Sequence, residues 1–181
     1  GVRVSDVITV CERELGFLAL NEIRPSWLVF SSGFTSYWFW GALKRVTDIL
    51  VSLVLLIVTW PLLILGGVAV FLESGGPIVY RQTRVGANNK PFEMLKLRSM
   101  TTDAEKDGKA VWAQANDARI TRVGAFLRNT RIDELPQLWN VLKGEMSFVG
   151  PRPERPQFVE ALSQQIPYYA ERHRVKPGLM G

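Results

Sequence analysis

Two adjacent carboxylates, Asp133 and Glu134, stand in the sequence RNTRIDELPQLWNVLKGEMSFVGPRP, between two segments that carry arginine. Because Pro136 cannot lie deep inside a helix, we expect the following helix to begin just before it, with Asp133 near the N-cap and Glu134 in the first turn. The positive end of a helix favours an ionised carboxylate and attracts anions. An ionised Asp133 can attack a phosphorus atom or hold Mg²⁺ against a diphosphate. From spacing alone, the alternative is that Asp133 is only a helix cap.

A cluster of arginines precedes these carboxylates. The stretch from residue 119 to residue 131 contains no acidic residue and four arginines, Arg119, Arg122, Arg128 and Arg131, at spacings that place pairs on one helix face. Guanidinium groups match phosphate oxygens bidentately, so the cluster can neutralise a diphosphate that approaches a carboxylate nucleophile. Arg128 is the favoured ligand within it. A solvated or lipid-facing basic surface explains the cluster equally well.

Two prolines flank Arg152 on the other side of the carboxylates. Pro151 and Pro153 each fix their own φ, and Pro153 also disfavours the helical region for Arg152, so this arginine lies in a stiff, extended backbone. The pattern predicts a rigid phosphate clamp, with a proline-rich connector as the alternative. Lys96 and Arg98 add positive charge at the end of a predicted hairpin and complete the expected phosphate-binding set, with a surface position as the alternative for each of them taken alone.

The motifs that the chain lacks narrow its chemistry. It has one histidine, His173, and one cysteine, Cys11, too few for a zinc cage or a Cys-x-x-Cys redox pair. Neither a G-x-x-x-x-G-K-[ST] phosphate loop nor a G-x-G-x-x-G turn is present, which disfavours ATP hydrolysis and dinucleotide redox chemistry. The net charge of +5 suits anionic headgroups, phosphorylated substrates or nucleic acid. Since no RNA-binding motif or zinc finger accompanies that charge, we expect no nucleic acid partner.

The surplus of apolar residues is concentrated between Ile49 and Leu72, where 24 positions carry no charge. As a straight helix this segment is about 36 Å long, enough to cross a bilayer core of about 30 Å. Pro61, near its middle, removes a backbone hydrogen bond, and we expect a sharp break there. Positive charge flanks both ends, beginning with Lys44 and Arg45, and it marks the cytoplasmic side. A re-entrant hairpin fits these observations, and a kinked spanning helix fits equally well.

The other elements are short. The aromatic run Tyr37–Trp40 predicts a membrane–water interface, with a buried aromatic core as the alternative. Short apolar runs on either side of Gly86–Lys90 predict a small β-hairpin, and the polar segment Met100–Asp117 predicts a loop. Helical spacing follows, with Gly144 as a stop and Gln157–His173 as a last amphipathic helix. The chain is therefore expected to be α+β and mainly helical.

Motifs distributed along most of the chain carry a family resemblance. They are Lys44-Arg-Val-Thr-Asp48, Tyr80-Arg-Gln-Thr-Arg-Val-Gly86, Lys96-Leu-Arg-Ser-Met100, Asp117-Ala-Arg-Ile-Thr-Arg-Val-Gly124, Phe126-Leu-Arg128, Asp133-Glu-Leu-Pro-Gln137, Asn140-Val-Leu-Lys-Gly144, Met146-Ser-Phe-Val-Gly-Pro-Arg-Pro153 and Lys176-Pro-Gly178. In their order and content, the segments from about residue 44 to residue 181 resemble the bacterial sugar transferases, the monotopic polyprenyl-phosphate phosphoglycosyl transferases.

The resemblance implies transfer of a sugar 1-phosphate from a UDP-sugar to polyprenyl (undecaprenyl) phosphate, a step that initiates glycoconjugate or exopolysaccharide assembly. It implies Asp133 as the nucleophile that forms a covalent phosphosugar intermediate and releases UMP, Glu134 as its partner, and Mg²⁺ held by the two. Arg128 and Arg152 fall on phosphate-contacting positions. Arg131 stands where a serine is frequent in the family.

The resemblance also implies a re-entrant membrane helix over residues 49–72, broken at Pro61, within a catalytic domain of residues 44–181. Residues 1–43 resemble the linker that follows an N-terminal region in larger members. The expected location is the bacterial inner membrane, with the catalytic domain on the cytosolic face and membrane lipid as a further partner; a homodimer is left open. The alternative function is a non-catalytic membrane-anchored assembly module of a polysaccharide pathway.

Overall fold

The computed structural model describes residues 38–102, 104 and 117–180. Within these ranges the helices and strands are α1 (Trp38–Ser74), β1 (Val79–Val85), β2 (Pro91–Leu97), α2 (Arg122–Asn129), α3 (Gln137–Lys143), β3 (Ser147–Val149), α4 (Pro156–Gln165) and β4 (Gly178–Met180). Short 3₁₀ helices lie at Ala87–Asn89, Ile132–Glu134 and Tyr169–Arg174. This composition confirms a mainly helical α+β chain with a small hairpin. Residues 1–37 of the predicted linker 1–43 and most of the predicted loop 100–117 lie outside the described residues.

Helix α1 is continuous over 37 residues and contains Pro61. It is the one helix in the described part of the chain that is long and apolar enough to cross a membrane. Helical structure runs through Pro61 without an interruption, and a change of direction of the helix axis at Pro61 stays a prediction. Proline removes one N–H group and strains the preceding turn, but the hydrogen bonds on either side of it remain. In that turn Thr59 donates its hydroxyl to the Leu55 carbonyl at 2.7 Å.

The N-terminal part of α1 is fastened to α3 and β3. Arg45 donates to the carbonyls of Val141 and Leu142, at 2.6 Å each. Asp48 is buried and accepts a hydrogen bond of 2.8 Å from the Ser147 hydroxyl. These contacts bind the beginning of the apolar helix to the folded unit.

The C-terminal part of α1 packs on the same unit. Val70 forms a core with Leu97 of β2 and Leu127 of α2. Gly66 is buried beside the same two leucines, so that a side chain at this position would press on Leu97. Between the two attachments the outward side chains are apolar and exposed; they include Leu53, Val54, Ile57, Val58, Leu62, Ile64 and Leu65. An apolar surface of this extent is suited to contact lipid rather than water.

The aromatic residues at the start of α1 are exposed. Trp38, Phe39 and Trp40 are 83%, 57% and 63% exposed, and their rings contact each other edge to face. For these three residues the buried-core alternative is excluded, and the interface interpretation is favoured. Tyr37 lies outside the described residues.

The predicted hairpin is confirmed and is longer than expected. Strands β1 and β2 pair in antiparallel register from Val79 opposite Leu97 to Val85 opposite Pro91. Asn88 and Asn89 in the connection have φ values of 54° and 59°, a left-handed conformation that asparagine tolerates better than most residues. One face of β2 packs on α3 through a core of Phe92, Met94, Val141 and Met146.

The C-terminal region differs from its prediction. Strands β3 and β4 form a two-stranded parallel sheet. The expected single helix over 157–173 is instead α4 followed by a separate 3₁₀ helix. Pro167 explains the division, because it disfavours a helical backbone for Ile166, which has φ −114° and ψ 116°. Gly144 ends α3 with φ 88°, as predicted.

Candidate active site

Asp133 and Glu134 lie in a 3₁₀ helix between α2 and α3. Helix α3 begins only at Gln137, with Pro136 at its N-cap and no side-chain cap. The expectation that Asp133 caps this helix is therefore wrong. Pro136 has no N–H to donate to a capping side chain, and the Leu135 N–H already donates to the Ile132 carbonyl at 3.2 Å.

The carboxyl group of Asp133 is buried, with 5% of the residue exposed. Its Oδ1 atom has no hydrogen-bond donor among the described residues. Burial raises the pKa of Asp133, the charge of Lys96 opposes this rise, and Glu134 adds to it. Desolvation is thus the largest influence on the pKa of Asp133, and it favours the protonated form. The sequence had instead predicted a helix N-terminus beside Asp133, which would favour the ionised form.

Glu134 is the point on which three cations converge. Its Oε1 atom lies 3.0 Å from Lys96 Nζ, 3.5 Å from Arg131 Nη1 and 3.9 Å from Arg152 Nη2. The Lys96 contact is also a hydrogen bond between two largely buried side chains. A single carboxylate oxygen therefore occupies the centre of a cationic triangle, where a phosphate oxygen would be bound equally well.

These groups face a cavity of about 430 Å³. Its walls combine cations with apolar and small residues, and they are formed by Arg84, Met94, Lys96, Arg131, Glu134, Leu135, Gln137, Arg152, Pro153, Gly178, Leu179 and Met180. Asp133 is adjacent to Glu134 in the chain but is not part of the cavity wall. The volume and the lining suit a charged ligand with a less polar portion.

Two of the four predicted phosphate ligands, Lys96 and Arg152, line the cavity. Arg128 does not line it; its Nε donates to the Ser99 hydroxyl at 2.8 Å. Arg98 is buried elsewhere and donates to the carbonyls of Ser74, Gly75 and Gly76, with a distance of 2.9 Å to Gly76. It stabilises the end of α1 instead of facing the cavity.

The arginine cluster is dispersed by the fold. Arg119 forms an ion pair with Asp117, and its hydrogen bonds lower the pKa of Asp117 to about 2. Arg131 is the member of the cluster that lines the cavity, with a left-handed backbone at φ 60°. Such a conformation is uncommon for a residue other than glycine, asparagine or aspartate, and it often accompanies a functional site.

Arg84 is a further cavity residue that was not among the predicted ligands. It is largely buried, lies 3.7 Å from Glu154 Oε2, and donates to the Pro153 carbonyl at 3.1 Å. The only signal in the sequence was its place in the motif Tyr80-Arg-Gln-Thr-Arg-Val-Gly86. The contact of Arg84 with Pro153 depends on the packing of the hairpin beside the proline segment, which the sequence alone does not show.

Backbone hydrogen bonds hold the segment that presents Arg152. The Gly178 N–H donates to the Pro151 carbonyl at 3.0 Å, and Arg172 donates to the Arg152 carbonyl at 2.9 Å. The Val85 N–H donates to the Glu154 carbonyl at 2.9 Å. These bonds agree with the predicted stiff segment, while the Arg152 side chain remains 67% exposed and able to reach a ligand.

The carboxylate pair has the chemistry of a magnesium site. In the described ranges no three His, Cys, Asp or Glu side chains converge as a metal cluster. Mg²⁺, however, commonly takes only one or two carboxylates and completes its shell with water and substrate phosphates. The unpaired Oδ1 of Asp133 and the cavity-facing carboxylate of Glu134 fit that donor set.

Comparison with known proteins decides the family. The sequence pattern of the family described as bacterial sugar transferase matches residues 39–181. The chain belongs to this family. The resemblance carried by its motifs is confirmed, and with it the expectation that this sugar transferase is an enzyme.

Three relatives illustrate the range of the family. A protein of Bacillus subtilis (strain 168), provisionally named undecaprenyl-phosphate N-acetylgalactosaminyl 1-phosphate transferase, is 55% identical over 131 residues, which are 72% of this chain and 73% of that protein. The UDP-N-acetylgalactosamine-undecaprenyl-phosphate N-acetylgalactosaminephosphotransferase of Aeromonas hydrophila is 47% identical over 77% of this chain. The UDP-glucose:undecaprenyl-phosphate glucose-1-phosphate transferase of Klebsiella pneumoniae is 48% identical over 76% of it. The match covers 33% and 30% of the latter two proteins.

Proposed function

We propose that this sugar transferase moves a sugar 1-phosphate from a UDP-sugar to undecaprenyl phosphate. The observation that carries the proposal is the convergence of Lys96, Arg131 and Arg152 on Glu134, in a cavity beside the buried Asp133. Such a group of cations suits the diphosphate of a sugar nucleotide. The names of the relatives supply both the donor and the acceptor.

The proposed reaction has two displacements at one phosphorus atom. A carboxylate oxygen of Asp133 attacks the phosphorus that bears the sugar; a P–O bond to Asp133 forms, the bond to the bridging oxygen breaks, and UMP leaves with that oxygen. An oxygen of undecaprenyl phosphate then attacks the same phosphorus, and the bond to Asp133 breaks. The product is an undecaprenyl diphosphate sugar, and the carboxylate is restored. A covalent intermediate lets a soluble donor and a lipid acceptor react in turn.

Charge in the cavity prepares Asp133 for this role. Lys96 lowers the pKa of Asp133 against the effect of burial, and it is bound to Glu134 at 3.0 Å in this structure. A diphosphate entering the cavity competes with Glu134 for the three cations and frees Glu134 to act beside Asp133. We propose that the two carboxylates also hold Mg²⁺, which when bound adds positive charge against the diphosphate oxygens.

The membrane topology that we propose is re-entrant: α1 bends at Pro61, and residues 49–72 enter and leave on the cytosolic face of the inner membrane. Asp48 and Val70 are both buried against the same folded unit although they are 22 positions apart in the chain. A helix that crossed the bilayer would carry its two ends to opposite sides, where one unit could not contact both. Cysteine labelling at positions 43 and 90, which are both exposed in the structure, tests this topology. Accessibility from opposite faces of the membrane would refute it.

Release of UMP tests the proposed reaction. The full-length protein is supplied with undecaprenyl phosphate, Mg²⁺ and a panel of UDP-sugars, and UMP is quantified for wild type, Asp133→Asn and Asp117→Asn. Asp117 is the matched control because it is an aspartate outside the cavity, paired with Arg119. We expect UMP from wild type and the control, and none above background from Asp133→Asn. Absence of UMP from wild type with every donor would favour the non-catalytic assembly module.

A further inference from the structure

The segment that presents Arg152 to the cavity is held at every one of its carbonyl groups. Each carbonyl from Pro151 to Glu154 accepts a hydrogen bond of 2.9 to 3.1 Å. In the order of these carbonyls, the donors are the Gly178 N–H, the Arg172 guanidinium, the Arg84 guanidinium and the Val85 N–H. The donors come from β4, from the 3₁₀ helix Tyr169–Arg174 and from β1, so three separate parts of the chain fix four consecutive residues.

The bond from Arg172 is the one that ends on Arg152 itself. The Cα atom of Arg152 lies between two planar peptide groups, one with the Pro151 carbonyl and the other with the Arg152 carbonyl. Bonds to both carbonyls therefore fix the direction in which the Arg152 side chain leaves the backbone.

The backbone has to direct the Arg152 guanidinium because the side chain itself is little packed. The side chain is 67% exposed, and its Nη2 atom lies 3.9 Å from Glu134 Oε1 at the cavity. A long side chain amplifies a small rotation of its backbone into a large displacement of the group at its end. The position of this guanidinium at the cavity thus depends on how firmly the Arg152 carbonyl is held.

Arg172 is itself a fixed donor. Its guanidinium carbon lies 4.8 Å from the centroid of the Tyr169 ring, and its Nη1 atom donates to the Tyr169 hydroxyl. Tyr168, at the start of the same 3₁₀ helix, has φ 59°, a conformation that residues of this type adopt only where surrounding contacts determine the backbone. The next residue, His173, is buried with its ring edge to face against Tyr169. These contacts leave the guanidinium of Arg172 one direction in which to donate.

Arg174 belongs to the same 3₁₀ helix and differs from Arg172 in its contacts. The side chain of Arg174 is 76% exposed, and its Nε atom lies 2.9 Å from Glu171 Oε2. Neither arginine is part of the cavity wall. The two residues carry the same charge two positions apart, but only Arg172 is bonded to the segment that presents Arg152.

We propose that Arg172 is a positioning residue for the diphosphate of the donor: through the Arg152 carbonyl it holds the Arg152 guanidinium at the cavity beside Glu134. The nature of the ligand rests on the proposed function. Arg172 touches neither the ligand nor the reacting atoms, so its whole effect on the diphosphate passes through Arg152.

A double-mutant cycle on the full-length protein tests this dependence. UDP is the probe, since it carries the diphosphate but no sugar to be transferred, and its Kd is measured by isothermal titration calorimetry in neutral detergent with Mg²⁺. The cycle consists of wild type, Arg152→Gln, Arg172→Gln and the double variant, with Arg174→Gln as the matched control. Because Arg152→Gln keeps its backbone carbonyl, the bond from Arg172 remains in that background.

The two arginines are expected to act as one unit. Arg152→Gln should weaken UDP binding about tenfold or more, because it removes a charge-assisted contact. Arg172→Gln should weaken it about threefold or more in the wild-type background and less than about twofold in the Arg152→Gln background. Arg174→Gln should change the Kd less than about twofold, as expected for an exposed charge.

Thermal unfolding of each variant shows whether it folds. If Arg172→Gln does not fold, Tyr169→Phe takes its place in the cycle, because it removes the hydroxyl that Arg172 bonds and keeps the ring. The same pattern is then expected: weaker UDP binding in the wild-type background, and no further loss once Arg152 is replaced.

The contrary results are equally distinct. Losses of affinity that multiply in the double variant, an unchanged Kd in Arg172→Gln, or equal losses in Arg172→Gln and Arg174→Gln would each overturn the positioning role, while UDP binding by wild type would leave the proposed donor intact. A wild type that does not bind UDP would overturn the proposed donor and this proposal with it.

Discussion

Replacement of the proposed nucleophile is expected to stabilise the fold while it abolishes the reaction. In Asp133→Asn a buried carboxylate, 5% exposed and with no donor at Oδ1, becomes a neutral amide of the same shape. The amide still leaves a buried polar atom without a partner, but it removes the negative charge whose desolvation raises the pKa of Asp133. Removal of this desolvation should raise the free energy of unfolding by about 1 kcal/mol or more at neutral pH, which corresponds to an increase of roughly 2 to 4 °C in Tm.

The gain in the free energy of unfolding of Asp133→Asn over wild type should increase as the pH rises. Burial raises the pKa of Asp133 above its ordinary value of 3.8, so the protonated wild-type carboxyl is favoured in the folded state. Wild type loses stability relative to the variant as the pH rises from that value through the folded-state pKa, and the difference is constant above it. Thermal unfolding of both proteins in the same detergent, at intervals from pH 4 to pH 8, measures the difference. A variant that is less stable than wild type at pH 7, or a difference that shrinks as the pH rises, would refute the reasoning.

Three further predictions concern a cavity arginine, the arginine at the end of α1 and a tightly packed glycine. Arg131→Gln should raise the KM for the UDP-sugar about tenfold or more, since a charge-assisted hydrogen bond contributes about 1.5 to 3 kcal/mol. Arg128→Gln should change this KM less, because Arg128 does not line the cavity. Kinetics of UMP release compare the two variants, and equal effects on KM would contradict the assignment of Arg131 to the cavity. Arg98→Met should lower the free energy of unfolding by about 2 kcal/mol, because it leaves carbonyls at the end of α1 without a donor; a raised KM with unchanged stability would instead restore Arg98 as a phosphate ligand. Gly124→Ala should prevent stable folding because its Cβ would meet the Ser99 carbonyl, while Gly41→Ala, with open space around it, should fold like wild type in thermal unfolding.

The sequence predicted the elements whose cause is local. Gly144 could be identified as the end of α3 because left-handed backbone favours glycine, and the hairpin could be identified from its turn residues and flanking apolar runs. Arg152 was predicted to be rigidly presented because two prolines restrict the backbone around it, and the structure shows the same segment fixed by backbone hydrogen bonds. Lys96 and Arg152 both line the cavity, and their role as phosphate ligands stays a prediction.

The features that the sequence did not predict depend on tertiary contacts. The local rule that places Asp133 at a helix N-cap ignores the 3₁₀ helix, whose N–H groups are already engaged. Spacing assigned Arg128 to the phosphate site, but the left-handed backbone at Arg131 ends α2 and turns that arginine toward the cavity instead. Arg98 was predicted to bind phosphate, but the end of α1 lies beside it, and Arg98 donates to the carbonyls there. Burial of Asp133, which controls its pKa, is likewise a property of the packed structure.

The central claim is that Asp133 carries the sugar phosphate as a covalent intermediate. The direct measurement is to incubate the full-length protein with a UDP-sugar labelled on the sugar-bearing phosphate, without undecaprenyl phosphate, and to locate the label by peptide mass spectrometry. The account predicts label on the peptide that contains Asp133 in wild type, its release on addition of undecaprenyl phosphate, and no label in Asp133→Asn. Turnover of the same donor with no covalent label, or label that persists in Asp133→Asn, would contradict it.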